Sequence, residues 1–318
     1  MAEQFDDEKL EAAVRDLAGP PRTPPTFVPT PSGRYNTSYF VDGWARPMVL
    51  RVAPPDDPLF HLFYEYRMMR QEPGIHAIVR ERKAAPVAEV IGHAAAHPAL
   101  GRDAIVMERL SGGAISDRPL TKVMFRDVLR QVGECLARTH AITGEAYGYV
   151  GPHRPMEPQK EWDAAFRIMW NRLLDDIERC GGYSPQEASM MRTHLDRRMK
   201  HFRHRPAPSL LHMDVWAENI MCDDEGKLTG LIDWDRGLWG DPEIEFAVLD
   251  YCGTSEEPFW EGYGKARDSS LEARIRHGFY LLYELQKYIF IRKVRNGSAK
   301  GAVAYRRQSL EMAAELFG

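Results

Sequence analysis

The hydrophobic pattern changes its period near residue 111, and that change constrains the fold more than any other feature. Before it, apolar residues alternate in short runs. Tyr39-Phe-Val41 and Met48-Val-Leu-Arg-Val52 flank the turn residues Asp42-Gly43, the pattern of a β-hairpin. Residues 87–91 and 104–108 read as further strands, with a helix expected over 59–71 and a break at Pro73-Gly74. After the flexible Ser111-Gly112-Gly113 the repeat becomes helical: Phe125, Val128, Leu129, Val132 and Leu136 share one helix face. Segments 161–179, 186–203, 242–252, 269–294 and 301–317 carry the same period. Strand spacing returns only briefly, at 209–214, 219–222 and 228–232.

A chain of 318 residues has room for two such parts. The expected fold is α+β, with a small β-rich lobe over 31–110 and a larger, mainly helical lobe over 111–318. Residues 1–30 stand apart in this reading. An amphipathic helix over 3–18 ends at Gly19-Pro20-Pro21, and prolines at 24, 25 and 29 predict an extended strap after it.

Charge narrows the function. There are 42 Lys and Arg against 46 Asp and Glu, a net of −4, which excludes a dedicated nucleic-acid binder. The basic stretch 192–205, with His194, His201 and His204, reads as a solvated helix face, because no aromatic residues interleave it and no third metal ligand is evident. No run approaches the roughly 18 apolar residues of a membrane span. The acidic start lacks a signal-peptide pattern, and Cys135, Cys180, Cys222 and Cys252 form no CxxC pair. A cytoplasmic protein with no obligate protein partner is expected.

Chemistry concentrates in one stretch. His212-x-Asp214 is followed by Asn219, and Asp233 lies beyond a hairpin that turns at 223–226. The hairpin brings Asn219 and Asp233 out at the same end. An amide oxygen and a carboxylate there suit a hard cation such as Mg²⁺. Asp214, just before them, is placed to orient a hydroxyl or take its proton. A metal on phosphates and a carboxylate on the nucleophile are the needs of phosphoryl transfer. Upstream, Pro31-Ser-Gly-Arg-Tyr-Asn-Thr-Ser38 between two strand signals fits a phosphate-covering turn, with Ser32, Gly33 and Asn36 as candidate contacts. Arg51 sits between apolar neighbours in the second hairpin strand and so faces the other side of the sheet.

These residues, with Gly240-Asp-Pro242, Glu245, Ala247 and Leu136-Ala-Arg-Thr-His140, resemble the aminoglycoside phosphotransferase family over about residues 30–255. That resemblance implies a protein-kinase-like, two-lobed small-molecule kinase using ATP or GTP with Mg²⁺. It implies Asp214 as catalytic base, Asn219 and Asp233 as metal ligands, His212 as a support of the loop and Asp241 as a brace from the next helix. Arg51 would hold the nucleotide phosphates, with Glu65 as its ion-pair partner and Glu72 as a substitute. Residues 106–110 resemble the hinge, with the Glu108 and Leu110 backbones reading adenine and Met107 lining the pocket. Trp216 stands where kinases of peptides carry Lys, which points to a small acceptor.

The acceptor is less legible. A hydroxyl-bearing antibiotic, aminoglycoside-like or another secondary metabolite, comes first, which would confer resistance. A primary metabolite such as choline, homoserine or a sugar-like amine is the alternative, and a nucleotide-binding scaffold without transfer ranks last. A polycationic acceptor calls for an acidic pocket, with Asp250, Glu256, Glu257, Glu261 and Glu284 as candidates. Residues 251–318 as a whole carry eleven basic and eight acidic side chains.

Overall fold

A computed structural model describes residues 4–31 and 35–318. Its amino-terminal part is one antiparallel sheet of β1 (Thr26–Pro29), β2 (Thr37–Asp42), β3 (Met48–Val52), β4 (Val90–His97) and β5 (Arg102–Glu108), in the order β1-β2-β3-β5-β4. Helix α1 (Asp7–Ala18) lays Leu10, Ala13 and Val14 on one face of this sheet, against Val41, Leu50 and Val106. The approach is so close that a Cβ at Gly92 would stand 2.3 Å from the Leu17 carbonyl oxygen.

One expectation is sharpened here and another fails, both for physical reasons. The strap is partly a strand: β1 pairs with β2, and Pro29 is tolerated because β1 is an edge. The helix expected over 59–71 is absent. Pro58–Phe60 and Met68–Gln71 form single 3₁₀ turns, while Leu62, Tyr64 and Met68 are drawn into the core of the helical part. The helix instead begins where a break was expected: α2 spans Glu72–Glu81, with Pro73 in its first turn, where a backbone N–H is not needed.

The helical part contains α3 (Lys122–His140), α4 (Trp162–Arg179), α5 (Pro185–Asp196), α6 (Pro242–Cys252), α7 (Glu257–Tyr263), α8 (Leu271–Phe290) and α9 (Ala299–Phe317). Its core is aromatic, with Trp162, Phe166, Trp170, Phe202, Phe279 and Tyr280 all sealed from solvent. The short helix α7, not anticipated, packs on α3 where Gly133 lets the backbones touch: a Cβ there would meet the Phe259 carbonyl oxygen at 2.1 Å. Beyond Phe290, α8 continues as a π-helical turn, Ile291–Arg295.

The strands that carry the site form two small sheets. β6 (Gly113–Ala114), β9 (Ile220–Cys222) and β10 (Leu228–Leu231) make one small sheet, and β7 (Gly148–Tyr149), β8 (Ser209–Leu211) and β11 (Leu238–Gly240) another. The four cysteines are unpaired. Among the described residues, no helix is long and apolar enough to cross a membrane.

Candidate active site

β8 ends at Leu211 and releases the chain into a loop, 212–219, whose conformation is held by a buried polar group. Glu245 on α6 accepts the backbone N–H groups of His212 (3.0 Å) and Met213 (2.6 Å), while its other oxygen meets His140 Nε2 at 2.7 Å. Burial alone would raise the Glu245 pKa, but His140 and these N–H donors hold it below the usual carboxylate range. Met213 is fixed at φ +67°, a strained position for a side-chain-bearing residue. His212 Nδ1 accepts the Asp214 N–H at 3.3 Å, which leaves Nε2 to donate to the Ile232 carbonyl at 3.0 Å. That pattern assigns a neutral imidazole, and burial pushes its pKa down accordingly. His212 therefore ties the Asp214 loop to the strand end before Asp233.

The three oxygen-bearing residues converge. Asn219 donates both amide hydrogens to Asp214, to the main-chain carbonyl at 2.9 Å and to Oδ2 at 3.0 Å. This orients the Asn219 amide and leaves its carbonyl oxygen as the atom that can meet a cation. Asp233 sits at φ +69° after β10, and burial, opposed by Arg51 and aided by the Glu72 and Asp214 carboxylates, raises its pKa. Amide oxygen plus carboxylate is a hard-cation donor set.

Arg51 reaches this point from β3. Its guanidinium, 8 % exposed, bonds Glu72 and Asp233 and stands 3.3 Å from Asp235. Although burial alone would raise it, the Glu72 pKa is held down to about 2 by Arg51 and His76, whose Nε2 lies 3.5 Å away. Asp235 is pushed well up by burial and by Asp233. Asn36 donates to Asp235 at 3.1 Å, and Gln71 donates to the Asp235 carbonyl at 2.5 Å. Three carboxylates thus surround one guanidinium.

The opposite side of Asp214 is built differently. Arg236 donates to Asp214 Oδ1 at 2.7 Å, lies 3.5 Å from Glu284 and stacks 5.5 Å over the Tyr64 ring. Lys287 pairs with Glu284 one turn along α8. Burial works to raise the Asp214 pKa, but Arg236 and Lys287 outweigh it and bring it below the ordinary value. Beside them Tyr288 is stacked between Tyr251 (5.5 Å) and Tyr305 (5.1 Å). The aromatic stripe of α8 divides accordingly: Phe279, Tyr280, Tyr283 and Phe290 are core, and Tyr288 is half-buried.

Several expected residues fall elsewhere. Glu65 does not meet Arg51: its carboxylate holds Arg295 at 2.6 Å, because the helix that would have aimed it at β3 does not form. Glu72 takes that place from the first turn of α2. Asp241 forms its hydrogen bonds away from the Asp214 loop. It caps α6 through the Glu243 N–H (3.1 Å) and bonds His204 and Tyr280, and Glu245 braces the loop instead. His204, Asp241 and Glu243 lie within metal-binding reach of one another, but both Glu243 oxygens are already held by Arg276. Met107 is buried in an apolar group with Val49, Ala53 and Leu110. Glu108 donates its N–H to the Glu89 carbonyl, and so cannot offer that group to a base. Ser32 and Gly33 lie outside the described residues. Asp250 pairs with Arg267, and Glu256, Glu257 and Glu261 are exposed, so among the described acidic candidates Glu284 is the one beside the Asp214 group. Arg236 and Lys287 carry no signal in the sequence beyond being cations near a motif and on a helix.

With this geometry in hand, known proteins can be set beside it. The model of the phosphotransferase enzyme family matches residues 26–277. A curated protein of Pasteurella multocida, named "probable ketoamine kinase", is 26 % identical over 189 residues, covering 54 % of this chain and 60 % of that protein. A solved structure from Haemophilus somnus, named "putative fructosamine-3-kinase", superposes with a TM-score of 0.71 at 18 % identity, covering 98 % of this chain and 97 % of the other. A thermostable mutant of the aminoglycoside phosphotransferase APH(4)-Ia, in ternary complex with AMP-PNP and hygromycin B, has a TM-score of 0.65 at 18 % identity and covers 96 % and 98 %. The latter two share the fold, two-lobed and protein-kinase-like, at low sequence identity.

Proposed function

The chain belongs to the phosphotransferase enzyme family, and from that premise we propose that it moves the γ-phosphate of ATP to a hydroxyl of a ketoamine, a sugar-like amine. It is a small-molecule phosphotransferase; the donor and the acceptor are our reading. One observation carries the acceptor. Arg236 bonds Asp214 and reaches Glu284, and Lys287 pairs with Glu284, so two cations meet two carboxylates and the acceptor side is balanced in charge. A polycationic aminoglycoside needs an acidic surface. A ketoamine, with many hydroxyls and one amine, needs hydrogen-bonding groups and at most a single spare anion. The name of the curated relative and the ATP analogue in the structural neighbour support the same reading.

The roles follow from the geometry. Asp214 receives or orients the attacking hydroxyl, with Arg236 holding its carboxylate in one direction. Arg51 offers its guanidinium to the nucleotide phosphates, and Glu72 keeps that group pointed into the cleft. Asn219 and Asp233 would hold Mg²⁺, which supplies charge neutralisation on the phosphates. His212 and Glu245 hold the loop but move no proton to substrate. In this reading residues 111–318 supply catalysis and acceptor binding. The nucleotide lobe over 31–110 also takes in α1 and β1, since both are built onto its sheet.

The test is transfer of labelled phosphate from ATP to panels of ketoamines, aminoglycosides and choline. Labelled ketoamines are expected; transfer to aminoglycosides alone would overturn the acceptor assignment. Asp214→Ala should lower turnover by about three orders of magnitude while nucleotide affinity stays nearly constant.

A further inference from the structure

Glu65, expected beside Arg51, belongs to another assembly. Its two carboxylate oxygens take Arg295 Nη2 at 2.6 and 2.7 Å, and one of them also accepts the Leu62 N–H at 2.8 Å. Its main-chain carbonyl accepts the Tyr35 hydroxyl at 3.0 Å, and that hydroxyl also meets His61 Nδ1 at 2.7 Å. The Arg295 guanidinium lies 5.0 Å over the Tyr35 ring. Glu65 is 5 % exposed and the Arg295 side chain 10 %, so the pair works in a low dielectric, where charge-assisted hydrogen bonds are strong.

The position of this group matters more than its strength. Arg295 ends the π-helical turn that continues α8, and π turns recur at functional sites. The same helix carries Glu284 and Lys287, beside Asp214. Tyr35 leads into β2 and is followed by Asn36, which is buried and bonds Asp235, two residues from Asp233. Tyr35 and Asn36 border a small recess of about 70 Å³ that His61 and Glu65 also line. Tyr35 packs on the aromatic core, and its hydroxyl and the Asn36 amide fix the direction of the chain as it enters β2.

We infer that Arg295 is a positioning residue for the nucleotide site: through Glu65 and Tyr35 it holds the entry to β2 so that Asn36 stays on Asp235, tying the acceptor-side helix to the phosphate side. The inference rests on the nucleotide reading above. None of these three side chains touches the reacting atoms.

The experiment is calorimetric titration of the full chain with Mg²⁺ and AMP-PNP, for wild type, Arg295→Ala, Arg295→Lys, Tyr35→Phe and the Arg295→Ala/Tyr35→Phe double variant, with thermal midpoints alongside. Each single removal should weaken nucleotide binding roughly tenfold, and the double variant should be no weaker than the worse single one. Arg295→Lys should recover part of the loss, and the KM for ATP should rise more than kcat falls. If Arg295→Ala and Tyr35→Phe bind nucleotide as tightly as wild type and only the thermal midpoint drops, the group is merely structural and the inference fails. Should Arg295→Ala not fold, Tyr35→Phe, which removes one hydroxyl, decides the matter. A wild type that binds no Mg²⁺–nucleotide overturns the kinase reading itself, and this inference with it.

Discussion

Arg51 and Arg236 approach neighbouring carboxylates from opposite sides, and their surroundings are not alike. Arg51 faces Glu72, Asp233 and Asp235, three carboxyl groups to one guanidinium, with Asp235 driven well up by burial and by Asp233. Arg236 and Lys287 face Asp214 and Glu284, two against two. The first arrangement carries an excess of negative charge that more positive charge would relieve. The second is complete as it stands. In the proposed reading the first arrangement suits a cation and phosphates, and the second suits a neutral or weakly charged acceptor.

The largest effect should come from removing the imbalance. Asp233→Asn is expected to cut turnover by about three orders of magnitude and to abolish its response to added Mg²⁺, measured as rate against metal concentration. A variant that kept a normal metal response would break the comparison. Next come the two arginines themselves. Arg51→Ala should raise the KM for ATP by roughly tenfold to a hundredfold with a smaller change in kcat. Arg236→Ala should do the reverse, lowering kcat by about a hundredfold with the KM for ATP little moved. Equal effects on both parameters would mean that the two sides are not distinct. The smallest effect concerns acid stability. The Glu72 pKa, held down to about 2 from 4.5, means that the folded chain binds fewer protons than the unfolded one in that window. Its stabilisation is present in full above pH 4.5 and is lost as pH falls towards 2. The difference in urea midpoint between wild type and Glu72→Gln should therefore shrink between pH 5 and pH 3.

What the sequence revealed and what it hid divide along the same line. The metal-side motif was legible because Asp214, Asn219 and Asp233 lie within twenty residues and a hairpin sets their relation. The switch from period two to helical period was legible because each element buries one face. Glu72 was harder to choose over Glu65, since local pattern cannot register that Leu62, Tyr64 and Met68 are claimed by the core of the other part. Arg236 and Glu284 were illegible as a pair: they are 48 positions apart and meet only because α8 crosses beneath the loop. Asp241 and Glu245 exchanged parts for a simpler reason. The residue that caps a helix spends its oxygen on the first turn, and the one a turn later points at the loop.

The seating of α1 on the sheet has a practical side. Leu17 lies against Gly92 with no room for a side chain, so the helix is a fitted lid over an oily surface. A preparation clipped after residue 20 would bare Val41, Leu50 and Val106 together, and such faces make proteins clump. A nick near α1 should show itself first as turbidity.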